Sequence, residues 1–238
     1  MTEFAEIWSY LSQGPLLWLT ATLAAYAIGD GVFRAAGRRP YANPVLIAVI
    51  VLAILLHLTG TAYATYFEGA QFVHFLLGPA TVALSLPLFD NLVRLRKSAL
   101  PVFCALIAAS VTATASAIAI AVAFGVDDQV LVSLAPKSAT APVAIGISEG
   151  LGGSPTLTAV LVLLTGITGA ILATPLLNLI GIKDWRARGL AVGVTSHGIG
   201  TARAFQVDPT AGAFAALGMA LNAVATTLIA PLVLSLFR

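Results

Sequence analysis

Eight apolar stretches cover most of the chain and leave only short polar loops between them. A spanning helix needs about 20 mainly apolar residues, so 238 residues allow about six to eight such segments and little outside the bilayer. Charged residues make up 9% of the chain and hydrophobic residues 59%, a balance that excludes a water-soluble fold. The sequence predicts an all-α polytopic membrane protein, with a single transmembrane domain over residues 1–238. The stretches run over 15–35, 43–60, 73–89, 99–124, 130–151, 157–180, 189–204 and 211–237.

The basic residues are grouped in three loops, which the positive-inside rule places in the cytoplasm. They are Arg34, Arg38 and Arg39; Arg94, Arg96 and Lys97; and Lys183, Arg186 and Arg188. If every stretch crossed the membrane, the third loop would lie outside, so we expect 130–151 to enter and return as a re-entrant hairpin. Helical spacing also predicts three ion pairs, namely Asp30–Arg34, Asp90–Arg94 and Asp184–Arg188.

Composition also limits the partners. The net charge is +2, but the basic loops are expected to set topology, so no nucleic acid is expected. Cys104 is the only cysteine, which excludes an internal disulfide and a thiolate metal cluster; no metal or other cofactor is expected.

The first stretch has no cleavage site of the signal-peptide type and should remain as a span of an inner-membrane protein. His57 and His74 flank a predicted outer loop, where Tyr63 and Tyr66 are expected to anchor at the interface.

Three stretches contain helix breakers, and at membrane depth a freed backbone is tolerated only inside protein or beside a water-filled cavity. The breakers are Pro79 and Pro87, Pro136 and Pro142, and the glycines of 193–200, including Gly198 and Gly200. The two proline pairs also suggest an internal inverted repeat, because Leu77-Gly78-Pro79 followed by Pro87 resembles Leu134-Ala135-Pro136 followed by Pro142. A long apolar stretch comes after each copy. Paired broken segments of this kind point to a transporter's substrate site. The alternative is that proline and glycine are simply common in membrane helices.

Two cations, Lys137 and Arg203, lie inside broken stretches instead of loops. An embedded cation is costly, by about 3 kcal/mol at the bilayer centre, and is a candidate functional group. The alternative for both is snorkelling to the interface, which nearby apolar residues and prolines make harder for Lys137. Together with nearby donors the two cations predict a site for a small carboxylate anion. The donors are Ser138, Thr140, Ser196, His197 and Thr201. His197 is either a proton relay or a buried neutral histidine bonded between helices.

Catalysis is not expected, and no catalytic residue is proposed. Ser196 and His197 are adjacent, so neither can serve the other in the usual triad geometry. The zinc motif H-E-x-x-H is also missing from the sequence.

Five motifs in the same order, from residue 43 onward, resemble the LrgB/CidB/YohK family. They are Asn43-Pro44, Gly60-x-x-Tyr63-x-x-Tyr66, Pro79-Ala80-x-Val82-Ala83-Leu84, Pro136-Lys137-Ser138-x-Thr140-x-Pro142 and Ser196-His197-Gly198-Ile199-Gly200-Thr201-Ala202-Arg203-Ala204. The chain departs from the family pattern at Ala141, where Thr is common, and at Gly198, where Ala is common.

The resemblance implies one of two functions. The first is a carrier for glycolate, glycerate, pyruvate or a related carboxylate, as in plastid glycolate/glycerate translocators. The second is an antiholin-like modulator of murein hydrolase export and lysis, with a holin-like LrgA or CidA partner. A homo-oligomer, taken as a dimer, is expected by analogy with carriers in general.

Overall fold

A computed structural model describes residues 14–76 and 99–237, together with the single positions 79, 83 and 96. Every regular element within these residues is helical, which confirms the predicted fold class. The chain divides into two compact units, Met1–Ala83 and Leu84–Arg238, and each is described by itself; that it forms one domain stays a prediction. Pro79 is helical and exposed. Pro87, the Asp90–Arg94 pair and most of stretch 73–89 lie outside the described residues, as does the side chain of His74.

The first unit contains three helices, α1 (Pro15–Ala35), α2 (Pro44–Thr59) and α3 (Tyr63–Phe75), with a 3-10 turn at Pro40–Ala42. Helix α2 begins at Asn43, whose Oδ1 accepts from the N–H groups of Val45 and Leu46 at 2.9 and 3.1 Å. It ends at Gly60, whose φ of 64° closes the helix in the left-handed region that glycine adopts readily.

The predicted outer loop around Tyr63 is a helix, α3, which packs on α1. Gly69 contacts the carbonyl of Pro15, and Tyr66 meets the fully buried Trp18 edge to face at 5.9 Å. Tyr66 therefore has a packing role beyond the predicted anchoring, whereas Tyr63 is 62% exposed. The predicted Asp30–Arg34 pair is confirmed at 2.6 Å.

The second unit is built on three long apolar helices, α4 (Ala99–Ala123), α7 (Pro155–Leu179) and α9 (Pro209–Ser235). With α1 they are the four helices, within the described ranges, that are long and apolar enough to cross a membrane. Helices α4 and α9 run parallel, because Val102 and Leu106 share a core cluster with Phe214 while Ile118 shares one with Ala230.

Stretch 130–151 forms hairpin 1, which consists of α5 (Asp128–Leu134), a turn over 135–140 called tip 1, and α6 (Ala141–Gly150). The N–H of Ser154, beyond α6, donates to Ser133 Oγ in α5 at 2.8 Å across 21 positions, so the chain reverses between them. The two helices are about 10 and 15 Å long, too short for a hydrocarbon core of about 30 Å. The predicted hairpin geometry is present.

Helix α8 (Trp185–Val207) is also a hairpin, because His197 takes φ 40° and ψ −136° and breaks it into arms 185–196 and 198–207. A Cβ on Gly200 would lie 2.9 Å from Val192 Cγ1, although eight positions of a continuous helix span about 12 Å. Arg188 and Arg203, 15 positions apart in sequence, line one small cavity. We call this element hairpin 2, and residues 194–200 tip 2. The helix breaking predicted for 193–200 is thus a complete reversal.

The two hairpins enter the second unit from opposite ends. Residues Leu131 and Val132 of hairpin 1 pack against the last turns of α4 and α9, at Ala121 and Leu234. The base of hairpin 2 packs against the start of α9, where Gly189 contacts the carbonyl of Ala211. Each hairpin is followed by a long helix, and hairpin 1 with α7 therefore forms an inverted counterpart of hairpin 2 with α9. The repeat predicted from the proline pairs stays a prediction, because Leu77, Gly78 and Pro87 of its first copy lie outside the described residues.

The predicted Asp184–Arg188 pair is wrong. Asp184 caps α8 and binds Arg186 at 2.6 Å, and these hydrogen bonds lower the pKa of Asp184 to about 2. Arg188 instead turns toward the end of α7, where it donates to Asn178 Oδ1 at 2.8 Å and to the Ile182 carbonyl at 3.0 Å. The predicted pair does not form because each side chain has another role. Asp184 accepts from free N–H groups in the first turn of α8, and Arg188 donates to acceptors at and just beyond the end of α7.

Candidate functional site

The two tips meet halfway along the long helices of the second unit. On α7, Val162 packs against Ala139 and Ala144 of hairpin 1, and its carbonyl oxygen lies 2.8 Å from Nε2 of His197 in tip 2. On α9, Asn222 bonds both tips and lies 13 residues from either end of the helix, about 20 Å in each direction. A polar centre is thereby formed around the middle of α9, where we expect the bilayer midplane to lie.

His197 is held in a backbone conformation that is nearly restricted to glycine. The residue is 5% exposed, and its ring lies against Gly166, where a Cβ would approach Cε1 at 2.5 Å. Because a carbonyl can only accept, Nε2 donates to Val162, and in the neutral ring Nδ1 is then the nitrogen that can take up a proton. Thr201 Oγ1 donates to the His197 carbonyl at 2.8 Å, one turn back along the second arm.

Tip 1 presents a cation and a hydroxyl with no protein partner in the described part of the chain. Lys137 is half-buried and forms no ion pair among the described residues, where both salt bridges involve other groups. It lies within electrostatic range of His197. The adjacent Ser138 is 6% exposed, and its Oγ is buried without a hydrogen-bond partner. A buried polar group of this kind is unfavourable unless something bonds it.

The remaining predicted residues differ in their distance from this centre. Thr140 caps α6 without using its side chain in a capping bond, so its hydroxyl stays available. Ser196 is buried, lies against Gly169 and is 3.2 Å from the hydroxyl of Thr195. Arg203 is six residues beyond His197, about 9 Å along the second arm, and it bonds Gln206 at 3.2 Å.

Arg203 therefore does not join Lys137 at the tips. It lines a cavity between α7 and the base of hairpin 2 together with Trp185 and Arg188. The structure brings together Lys137, Ser138 and His197 of the predicted set, with Thr140, Ser196 and Thr201 beside them. Pro136 is fully buried in tip 1, while Pro142 is exposed in the first turn of α6.

Sequence reasoning missed Asn222 and Ser110. Asn222 is fully buried and donates from Nδ2 to the carbonyls of Ser138 and Val194, both at 3.0 Å, while Ser110 Oγ donates to its Oδ1. The available signal was an amide in the middle of an otherwise apolar stretch, because embedded polar groups in such helices usually bond across to other helices. Gly166 and Gly169 were missed as well, and they provide the space for His197 and Ser196 on α7.

Comparison with known proteins places the chain in a bacterial membrane-protein group. The LrgB-like family matches residues 22–236. The holin-like protein CidB of Staphylococcus epidermidis is 33% identical over 222 residues, 93% of this chain and 96% of that protein. CidB of Staphylococcus aureus is 33% identical over 198 residues (83% and 86%), and the uncharacterized protein YxaC of Bacillus subtilis is 35% identical over 199 residues (84% and 86%). No solved structure matches the chain.

The relatives are bacterial and align with this chain over most of their lengths. With the four helices that can cross a membrane, this makes the chain a multi-pass protein of the bacterial inner membrane. The resemblance read from the five motifs is confirmed, and the chain belongs to the LrgB-like family.

Proposed function

We propose that this chain carries small carboxylate anions across the inner membrane by alternating access around the two tips. One observation supports this most strongly: at midplane depth, Lys137 and the buried Ser138 hydroxyl have no counter-charge or acceptor among the described residues. Polar groups embedded at this depth are expensive to keep and usually serve a function. An anion with a carboxylate and a further oxygen would bind both.

The helix ends at the tips also favour an anion. Helix α6 and the second arm of hairpin 2 both begin at the tips, and the N-terminal ends of helices carry partial positive charge. Broken helices at the interface of two inverted halves are a recurrent arrangement in carriers. Lys137 would neutralise the carboxylate, and Ser138 and Thr140 would bind its remaining oxygens. Contacts of the anion with Ser196, Thr201 and Arg203 stay predictions. The hydroxyls of Ser196 and Thr201 already form hydrogen bonds in hairpin 2, and Arg203 lies on its second arm.

The second candidate is a holin-like role, and the names of the relatives favour it. CidB proteins are called holin-like, and an antiholin-like modulator of murein hydrolase export would act with a separate LrgA- or CidA-like membrane partner. A carboxylate carrier that alters internal acidity would also affect lysis indirectly, so the two candidates are compatible. In both, the chain is not an enzyme, and it assembles as a homo-oligomer, taken as a dimer.

Uptake into proteoliposomes tests the carrier proposal directly. Purified protein, with and without an LrgA-like partner, is reconstituted and given radiolabelled glycolate, glycerate or pyruvate. Saturable uptake above that of empty liposomes is expected. If folded protein gives no uptake in either condition, the carrier proposal fails and the lysis-modulating candidate takes its place.

Proton coupling through His197 gives a separate prediction. Among the described residues, Lys137 is the charged group that interacts electrostatically with His197. The contacts of His197 from α7 come from Val162 and Gly166, and Thr201 connects it to Met219 on α9; none of these groups titrates. His197→Gln keeps an N–H donor for the Val162 carbonyl but removes the titrating ring. We expect uptake to continue without stimulation by an inward proton gradient.

The matched control is His57→Gln, which changes an exposed histidine of α2. It should respond to the gradient like the wild type. If His197→Gln also keeps its full response to the gradient, His197 is a structural residue of tip 2.

A further inference from the structure

Asn222 connects four elements through one side chain. Each of its two amide N–H donors binds a different hairpin, at the Ser138 carbonyl of tip 1 and the Val194 carbonyl of tip 2, and its oxygen accepts from Ser110 on α4. Because carbonyls only accept, this assignment of the amide nitrogen follows from chemistry. All of the side chain's donors are used at the tips.

The two carbonyls bound by Asn222 are products of the helix breaks. The last four carbonyls of a helix have no partner within it, and Val194 lies three residues before the break at His197. Ser138 lies in the turn between α5 and α6. At midplane depth neither carbonyl would find water in a closed protein. Asn222 thus supplies what the broken backbone lacks.

The same bonds set the distance between the proposed ligand-binding groups. In tip 1 the bonded carbonyl belongs to Ser138, and Lys137 is the residue before it. In tip 2 His197 lies three residues after Val194, which carries the other bonded carbonyl. If either bond opens, the tip can move relative to the other. We infer that Asn222 is a positioning residue that docks both hairpin tips together, so that the ligand site is complete only while both are bonded to it. The ligand half of this inference rests on the proposed carrier function.

Hydrogen exchange measured by mass spectrometry in lipid nanodiscs tests the docking half without any transport assay. Tip 1 offers suitable reporters, since the N–H groups of Lys137 and Ala139 donate to the carbonyls of Leu134, at the end of α5, and Pro136 at 3.0 and 2.9 Å. In Asn222→Leu, exchange should accelerate by about tenfold or more in peptides covering both tips, because two bonded carbonyls lose their donor. Exchange in residues 14–76 should not change.

Two further variants separate docking from general destabilisation. Thr226→Val alters another buried side chain one turn along α9 and should leave the exchange of both tips as in wild type. Ser110→Ala removes only the bond that orients the Asn222 amide, and should accelerate both tips by a smaller factor. Ser110→Ala also allows the docking inference to be tested if Asn222→Leu does not insert into the membrane. Acceleration of one tip alone, of the whole chain, or equally in Thr226→Val would overturn the docking inference.

Adding glycolate tests the ligand half separately. In wild-type protein, glycolate should slow exchange at both tips together, and in Ser110→Ala the half-saturating concentration for uptake should rise while the maximal rate changes less. If glycolate, glycerate and pyruvate each leave exchange unchanged everywhere, the proposed carrier function fails while the docking result stands. If glycolate protects tip 1 without tip 2, the joint role of Asn222 in the site is wrong.

Discussion

Replacing Lys137 with methionine is expected to reduce saturable glycolate uptake by at least about a hundredfold. Methionine keeps the length and apolar stem of lysine but removes the cation. Losing a charged partner in a poorly hydrated site costs on the order of 3 kcal/mol, which is about a hundredfold in binding. Lys183→Met, in the exposed loop before α8, is the control and should transport like the wild type.

The same variant should fold and insert at least as well as the wild type. An embedded cation without a protein counter-charge is unfavourable for folding in a membrane, so its removal relieves a cost. We therefore expect an unchanged or higher midpoint of thermal unfolding in detergent. Equal uptake by Lys137→Met and wild type would remove Lys137 from the site, whereas a loss of both uptake and folding would assign it a structural role.

Helix positions could be predicted because they depend on local patterns. The apolar stretches at 15–35 and 99–124 coincide with α1 and α4 nearly to the residue, since spanning length and flanking charges are encoded in short windows of sequence. Hairpin 1 was predictable for a related reason. The positions of the basic loops required that one stretch before the third loop does not cross the membrane, and the two prolines favoured 130–151.

Hairpin 2 was harder to predict because its reversal depends on one residue in an unusual conformation. Stretch 189–204 contains no proline, and the reversal occurs at His197 with φ 40°, a conformation that is uncommon for any residue other than glycine. The conformation is maintained by tertiary contacts with Gly166 and Val162 on α7. These contacts depend on folding of the whole unit, so a reading of local sequence could not supply them.

The candidate site was partly predictable for the same reasons. Lys137 and Ser138 were identifiable because a cation and hydroxyls interrupt an apolar stretch between prolines. Arg203 looked equivalent in sequence, but the reversal at His197 turns the second arm back toward the base of hairpin 2, where Arg203 lies near Arg188. The sequence predicted a break in this stretch but not its direction, and the complete reversal places Arg203 on the second arm, away from the tip.

Glycine packing between hairpin 2 and α9 leads to the second large expected effect. Gly189 and Gly193 face the carbonyls of Ala211 and Ala215, so the first arm and α9 meet backbone to backbone. Such contacts through small residues replace the hydrophobic effect as a source of helix association in membranes. A methyl group at Gly193 would overlap the Ala215 carbonyl, which cannot rotate away as a flexible side chain could.

Gly193→Ala is therefore expected to lower stability although alanine is the better helix former. Its propensity gain is about 1 kcal/mol, while overpacking at a rigid contact typically costs about 1–3 kcal/mol, and the backbone partner favours the upper end. The midpoint of thermal unfolding in detergent should fall by several degrees, and uptake should fall with it because tip 2 shifts. Gly146→Ala in α6 is the control, since a Cβ there meets nothing within 4 Å, and it should be neutral or stabilising. If both variants unfold at the wild-type temperature, the close approach of hairpin 2 to α9 is not present in the folded protein.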